Sequence, residues 1–159
     1  MARASVEDPL KVFRFRVLID NVARAGFSEV NGLKKQTEKS EYREGGMNET
    51  KQKSAGLTTY PDVTLVRGQI LGSTRGGDTD LIDWAKEVHQ VAVQGNAANY
   101  RREVTIEQYT SVNTRACYWT LTECWVCESV PMSDLKAVSS DNSYETVTLC
   151  HEGYDFVQG

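Results

Sequence analysis

The chain has 159 residues, of which 40% are hydrophobic and 25% charged, with a formal net charge of −4; that is enough for one domain with a sizeable core and short for two. An acidic balance excludes a general nucleic-acid binder, which needs a basic surplus to displace counterions from phosphates. No apolar run approaches the roughly 18 residues of a membrane span, and "MARASVEDPL" lacks the apolar core of an export signal, so the expectation is a cytosolic start with Cys117, Cys124, Cys127 and Cys150 reduced.

Val12 to Ile19, "VFRFRVLI", alternates strictly and predicts a half-buried strand, with Phe13, Phe15, Val17 and Ile19 on one face and Arg14 and Arg16 on the other. Asp20-Asn21 predicts a turn, "AGFSEVNGL" a further strand, and Asn31-Gly32 a second turn or bulge. "LKKQTEKSEYRE", Leu33 to Glu44, alternates with hardly an apolar residue and reads as a solvated loop or helix turn, or as a strand that cannot pack on a private core. After Pro61, "YPDVTLVRGQIL" rebuilds a strand on Val63, Leu65, Val66 and Ile70.

A helix is expected over about residues 80–94. Asp78, Thr79 or Asp80 caps its start, Leu81, Trp84, Ala85, Val88, Val91 and Ala92 recur at helical spacing, and Gly95 stops it. Its apolar face, led by Leu81, Trp84 and Val88, must cover a sheet. "EVTIEQYTS", "CYWTLTECWVCESV" and "YETVTLCHEGYDFV" then return to period two. In the middle one, Cys117, Trp119, Leu121, Trp125 and Cys127 fall on one face and Tyr118, Thr120, Thr122, Cys124 and Val126 on the other. The polar "PMSDLKAVSSDNS" is expected to be pinned to the body by Leu135 and Val138. The sum is a mostly β chain with one helix and no internal repeat, residues 1–159 forming one domain.

Chemistry is hard to assemble from these residues. Cys124-x-x-Cys127, with Cys117, Cys150 and His151 as further ligands, is the best metal candidate, but a separation of three within a strand sends the two thiols to opposite faces. Small buried hydrophobes explain these cysteines better. His89 and His151 have carboxylate neighbours and no nucleophile. "GSTRGGDTD" lacks the lysine of a phosphate loop and carries aspartates that would repel phosphate. No catalytic set, cofactor site or metal site is expected. A ligand-binding β-sandwich with Trp119, Trp125 and Tyr109 lining a pocket is a weaker alternative, since aromatic residues in strands usually belong to cores.

A strand-like segment with charges on both faces leaves backbone groups unpaired, and such an edge is a liability unless another chain pairs with it. Self-association, with main-chain bonds and alternating Lys and Glu contacts setting the register, is the economical answer, and a head-to-tail ring or stack its geometry.

The blocks "DPLKVFRFRVLID", "AGFSEVNGL", "EYREGGMNETKQKSAGLTTYPDVTLVRG", "DLIDWAKEV" and "CESVPMSDLKAVSS" with "ETVTLCHEGYDF" cover nearly the whole chain. In that order they resemble the inner tube proteins of contractile-tailed phages and phage-like extracellular contractile injection systems. The resemblance implies two packed antiparallel sheets forming a β-sandwich or barrel-like body, one flanking helix on their outer side, and a long inter-ring loop or hairpin over about residues 40–60. It implies hexameric rings stacked into a hollow tube, with Glu41, Tyr42, Arg43, Glu44, Gly45, Gly46, Asn48, Tyr60, Arg67 and Gly68 at the ring interface. Arg14 and Arg16 are candidates for a lumen face. Strand spacing and tilt give such a tube a bore of roughly 40 Å.

The implied partners are further copies of the chain, a contractile sheath protein, baseplate or spike and tube-terminating proteins, and a cargo of DNA or protein effector, with no stable nucleic-acid or membrane binding by the subunit itself. The implied place of synthesis is the bacterial cytoplasm, within a phage tail or injection particle. A baseplate-proximal paralogue that initiates the tube is the alternative within the family.

Overall fold

The computed structural model describes residues 9–20, 22–24, 26–42, 45–46, 52–68, 80–95 and 100–159. In chain order they form β1 (Phe15–Ile19), β2 (Val22–Arg24), β3 (Phe27–Asn31), β4 (Gln36–Tyr42), β5 (Gln52–Thr59), β6 (Val63–Gly68), α1 (Asp80–Gln94), β7 (Arg102–Tyr109), β8 (Arg115–Val130), β9 (Tyr144–Cys150) and β10 (Gly153–Gln158).

Every strand pairing is antiparallel, and β8 is the pivot. Its first half lies between β7 and β10, and its second half pairs with β9. Leaf A therefore runs β2-β1-β7-β8-β10, leaf B runs β8-β9-β6-β3, and β4 and β5 form a separate two-stranded sheet. The outer strands of the two leaves do not pair with each other among the described residues, so the body is a sandwich and not a closed barrel.

The crossing of β8 from leaf to leaf is local. Glu123 has φ 54, and the register slips beside it: Val104 stands opposite Leu121 while Arg102 stands opposite Cys124. One inserted residue reverses which side chains face inward. The core thus takes Cys117 and Leu121 before the bulge and Cys124 and Val126 after it. Unbroken alternation puts Cys124 and Val126 on the face away from Leu121; the bulge corrects this.

Val17, Ile19, Val104 and Ile106 of leaf A meet Val63, Leu65, Val147 and Leu149 of leaf B in one cluster, which Leu81 and Trp84 of α1 complete. Ala85 and Val88 pack against its margin. Trp84 Nε1 donates to the Tyr100 carbonyl at 2.7 Å, and the Arg102 guanidinium lies 5.1 Å from the Trp84 ring centroid. Deleting a buried aromatic side chain of this kind costs about 3 to 5 kcal/mol. The helix stops at Gly95, φ 63, whose N–H donates to the Val91 carbonyl at 3.0 Å, as a left-handed C-terminal cap requires.

Three further expectations change. The first strand starts at Phe15 and not at Val12, because its partner β7 ends at Tyr109 and offers nothing for Val12 and Phe13 to pair with; these form a turn. "YETVTLCHEGYDFV" is two strands, broken at His151–Glu152, with β9 in leaf B and β10 in leaf A. Leu135 and Val138 do not pin their loop, being 71% and 99% exposed. Ser133 does so instead: its Oγ accepts the Tyr144 N–H at 3.2 Å and lies 3.4 Å from Ser143 Oγ.

Candidate assembly interface

Within the alternating-charge segment, Gln36–Tyr42 form not an idle loop but β4, one arm of a hairpin. β4 and β5 pair from Gln36 opposite Thr59 to Tyr42 opposite Gln52, with a bulge between Thr37 and Lys39. Every residue of both strands is exposed. At about 3.3 Å per residue, β5 reaches about 26 Å from its root. Opposite charges face across the pair at Glu41 and Lys53, and the Thr37 and Thr58 hydroxyls lie 3.0 Å apart. Gly56 lets the arms approach at the bulge, since a Cβ there would lie 3.1 Å from the Glu38 carbonyl oxygen. A two-stranded ribbon with no covered face is marginally stable in water.

The residues expected at the interface divide. Glu41 and Tyr42 end β4 and Gly45-Gly46 form a turn, all exposed. Arg43, Glu44 and Asn48 lie outside the described residues. Tyr60, at the hairpin's root, belongs to the body, with ring contacts to His151 and Tyr154 at 5.8 and 5.7 Å. Arg67 is buried, its Nε 2.8 Å from Glu145 Oε2, and Gly68 closes β6 beside it.

A second exposed surface has no signature in the sequence. At the end of leaf A where β1 and β8 begin and β7 and β10 finish, Val12, Phe13, Val112 and Val157 are all exposed. Val12 and Phe13 adjoin each other, but Val112 and Val157 are far from them in sequence; only the strand topology gathers the four at one end.

Arg16 stands opposite Glu107 on the face of leaf A away from the core. Its guanidinium lies 5.2 Å from the Tyr109 ring centroid. Tyr109 Oη donates to Glu107 Oε2 at 2.6 Å, and Arg115 Nη1 to Glu107 Oε1 at 3.1 Å. The Glu107 carboxylate, through that hydrogen bond, is the chief reason the Tyr109 phenol is held above its ordinary value. Arg14 is half-buried beside Phe13.

Of the residues weighed for chemistry, Cys127 and Cys150 come together beside Asp62, and the others do not converge. His89 is exposed on α1. His151 is buried, with Nδ1 3.3 Å from the Gly153 carbonyl and Nε2 3.1 Å from that of Pro61, a clamp between strand and loop. "GSTRGG" and Asp78-Thr79 lie outside the described residues. Trp119 lines a cavity of about 390 Å³ with Phe15 and Val30, whereas Trp125 packs edge-on against Tyr100 and Tyr109 lies on the opposite face of leaf A. Cys124 is buried and Cys127 exposed, so the two do not chelate together. No helix of the described residues is long and apolar enough to cross a membrane.

The sequence matches the family described as T4-like virus tail tube protein gp19 over residues 11–155. Curated proteins give no match. The fold is similar to a chain of the PVC sheath-tube complex of an extracellular contractile injection system in the extended state, with TM-score 0.79, 21% identity, and 99% of this chain and 100% of that one covered. A chain of the anti-feeding prophage tube-terminating cap gives TM-score 0.80 at 19% identity, covering 99% and 97%. A chain of the anti-feeding prophage baseplate gives 0.75 at 21% identity, covering 96% and 98%.

Proposed function

The chain belongs to the family of the T4-like virus tail tube protein gp19, and from that premise we propose that it is the subunit of the inner tube of a contractile injection system, acting by assembly and not by catalysis. Six-membered rings stack into a hollow shaft, a contractile sheath surrounds it, and contraction drives it through a target envelope. The observation that carries this reading is the β4–β5 hairpin, a ribbon whose two strands are exposed throughout. In the proposed tube it reaches the neighbouring ring, bringing Glu41, Tyr42, Arg43, Glu44, Gly45, Gly46 and Asn48 to that contact. The body residues Tyr60, Arg67 and Gly68 would support the contact from the root, Arg67 from within its ion pair.

The apolar end of leaf A is the complementary contact surface. The charge-compensated face of Arg16, Glu107 and Arg115 is our candidate for the bore, with Arg14 at its margin. A wide bore lined by balanced charge lets DNA or a protein effector slide without being held. Sheath, baseplate and terminator proteins are the proposed partners, and assembly in the bacterial cytoplasm the proposed setting.

Likeness to a baseplate chain supports a second reading, a tube initiator set at one end of the particle. Negative-stain electron microscopy of the protein purified alone, and after co-expression with sheath and baseplate, tests both. Rings or tubes the length of the sheath support the shaft subunit; a single ring at one end supports the initiator. Strict monomers at high concentration under both conditions would overturn both.

A further inference from the structure

Asp62, Cys127 and Cys150 come from three parts of the chain: the link between β5 and β6, the middle of β8's second half, and the end of β9. Their ligand atoms, one carboxylate oxygen and two sulfurs, all lie within 4.8 Å of one another. Cys127 is the extra residue where the β8–β9 register slips between Val126 and Glu128, and such a bulge re-aims a side chain. Its Sγ lies 3.8 Å from Asp62 Oδ2 and 3.3 Å from the Thr148 carbonyl oxygen.

The backbone holds Asp62 in place from both sides. The buried His151 ring reaches the Pro61 carbonyl at 3.1 Å. Gly32, φ 88, comes so near that a Cβ on it would lie 2.7 Å from the Asp62 carbonyl oxygen. The cluster is therefore set by the fold and is not a chance meeting of long exposed side chains.

We propose that Asp62, Cys127 and Cys150 form a site for a thiophilic divalent ion of the zinc class. Two sulfurs and one carboxylate are a donor set that zinc accepts, with a fourth position left for water. Around a tetrahedral ion with bonds of about 2.3 Å to sulfur and about 2.0 Å to oxygen, the donors stand about 3.5 to 3.8 Å apart. The observed spread, within 4.8 Å, needs a contraction of no more than about 1.3 Å, within the reach of side-chain rotation. The site joins leaf B to the residue three places after β5, so an ion there would fasten the root of the hairpin to the body. Cys124, on the opposite face of β8, takes no part. The proposal does not depend on the tube reading and fails or stands separately from it.

The test titrates the full-length protein, kept reduced, with Co²⁺ as the spectroscopic stand-in for Zn²⁺. The expected result is about one equivalent bound, with sulfur-to-cobalt charge-transfer and tetrahedral d–d bands that Zn²⁺ bleaches. Cys127→Ser and Cys150→Ser should each lower the affinity at least about tenfold and weaken the charge-transfer band, and Asp62→Asn should lower the affinity by about tenfold. Cys117→Ser should leave the bands unchanged, and circular dichroism should show every variant folded. Absence of the bands in the wild type overturns the site, as does their persistence in Cys127→Ser. So does a chain that forms a Cys127–Cys150 disulfide in air and binds no Co²⁺ when reduced.

Discussion

Arg67 and Glu145 stand directly opposite each other on β6 and β9, Nε to Oε2 at 2.8 Å, with side-chain exposures of 8% and 2%. Removing one charge of a buried pair strands the other, while replacing both with apolar groups of similar volume is close to neutral. Glu145→Ala should therefore lower the unfolding free energy by about 3 to 5 kcal/mol, and Arg67→Met with Glu145→Leu should recover most of it. Urea unfolding of the single and double variants checks this. An additive double variant would show that the pair is not coupled.

Glu123 decides which face of β8 turns inward. Deleting it leaves Thr122 followed directly by Cys124, so the strand pairs with β7 without a bulge and Cys124 and Val126 still face inward; the deletion variant should fold. Glu123→Gly keeps the extra residue and relieves a positive φ that costs a non-glycine residue roughly 1 kcal/mol. It also loses the exposed Arg101–Glu123 pair at 3.6 Å, a contribution of about 0 to 1 kcal/mol. Thermal melts should place Glu123→Gly near the wild type and show a cooperative transition for the deletion; a deletion variant with none would show that the bend of the bulge, and not only its extra residue, is needed.

Much of this architecture is legible in the amino-acid sequence. Period two in "CYWTLTECWVCESV" and period 3.6 around Trp84 identify strand and helix, because burial of alternate or helically spaced residues is what those patterns record. The bulge at Glu123 is not legible, since a charged residue in a strand gives no sign that its φ is positive. Nor is the meeting of Asp62 with Cys127 and Cys150: Cys127 invites pairing with Cys124, three residues away, and only a cross-strand register with a bulge shows that its neighbours come from β9 and the β5–β6 link. Arg67, read as a motif residue for a contact between subunits, lies inside the fold because β6 turns alternate residues to the core. The hairpin shows itself through its lack of apolar residues, although its start at Gln36 precedes the expected boundary near residue 40.

Burial pushes the Cys124 thiol up to about 12 from its ordinary value of 9.0. The folded chain then keeps a proton that the unfolded chain releases, so stability is full below pH 9, declines as pH rises, and has lost this contribution near pH 12. Cys117, raised by burial, and Tyr109, raised chiefly by its bond to Glu107, act in the same direction. Urea midpoints should be flat up to about pH 9 and fall beyond it, with a shallower fall in Cys124→Ala. A flat profile to about pH 11 would contradict the burial of these groups.

Gly32 carries φ 88 and has no room for a side chain beside Asp62. Gly32→Ala combines backbone strain with a clash against main-chain oxygen, and should cost about 1 to 3 kcal/mol. Gly45→Ala, where a Cβ meets nothing within 4 Å, should change stability by less than about 1 kcal/mol. Equal melting temperatures for the two variants would show that the loop before β6 yields freely.

Tube formation by hairpin variants tests the central claim most directly. Arg43→Glu reverses a charge expected at the inter-ring contact, and Leu57→Asp places a charge on a fully exposed hairpin strand. Leu57→Asp should melt within about 0.5 kcal/mol of the wild type, as surface substitutions do, and Arg43→Glu should still unfold cooperatively. Electron microscopy should then show wild-type protein as stacked rings and both variants as isolated rings or monomers. Tubes from both variants, indistinguishable from those of the wild type, would contradict the account.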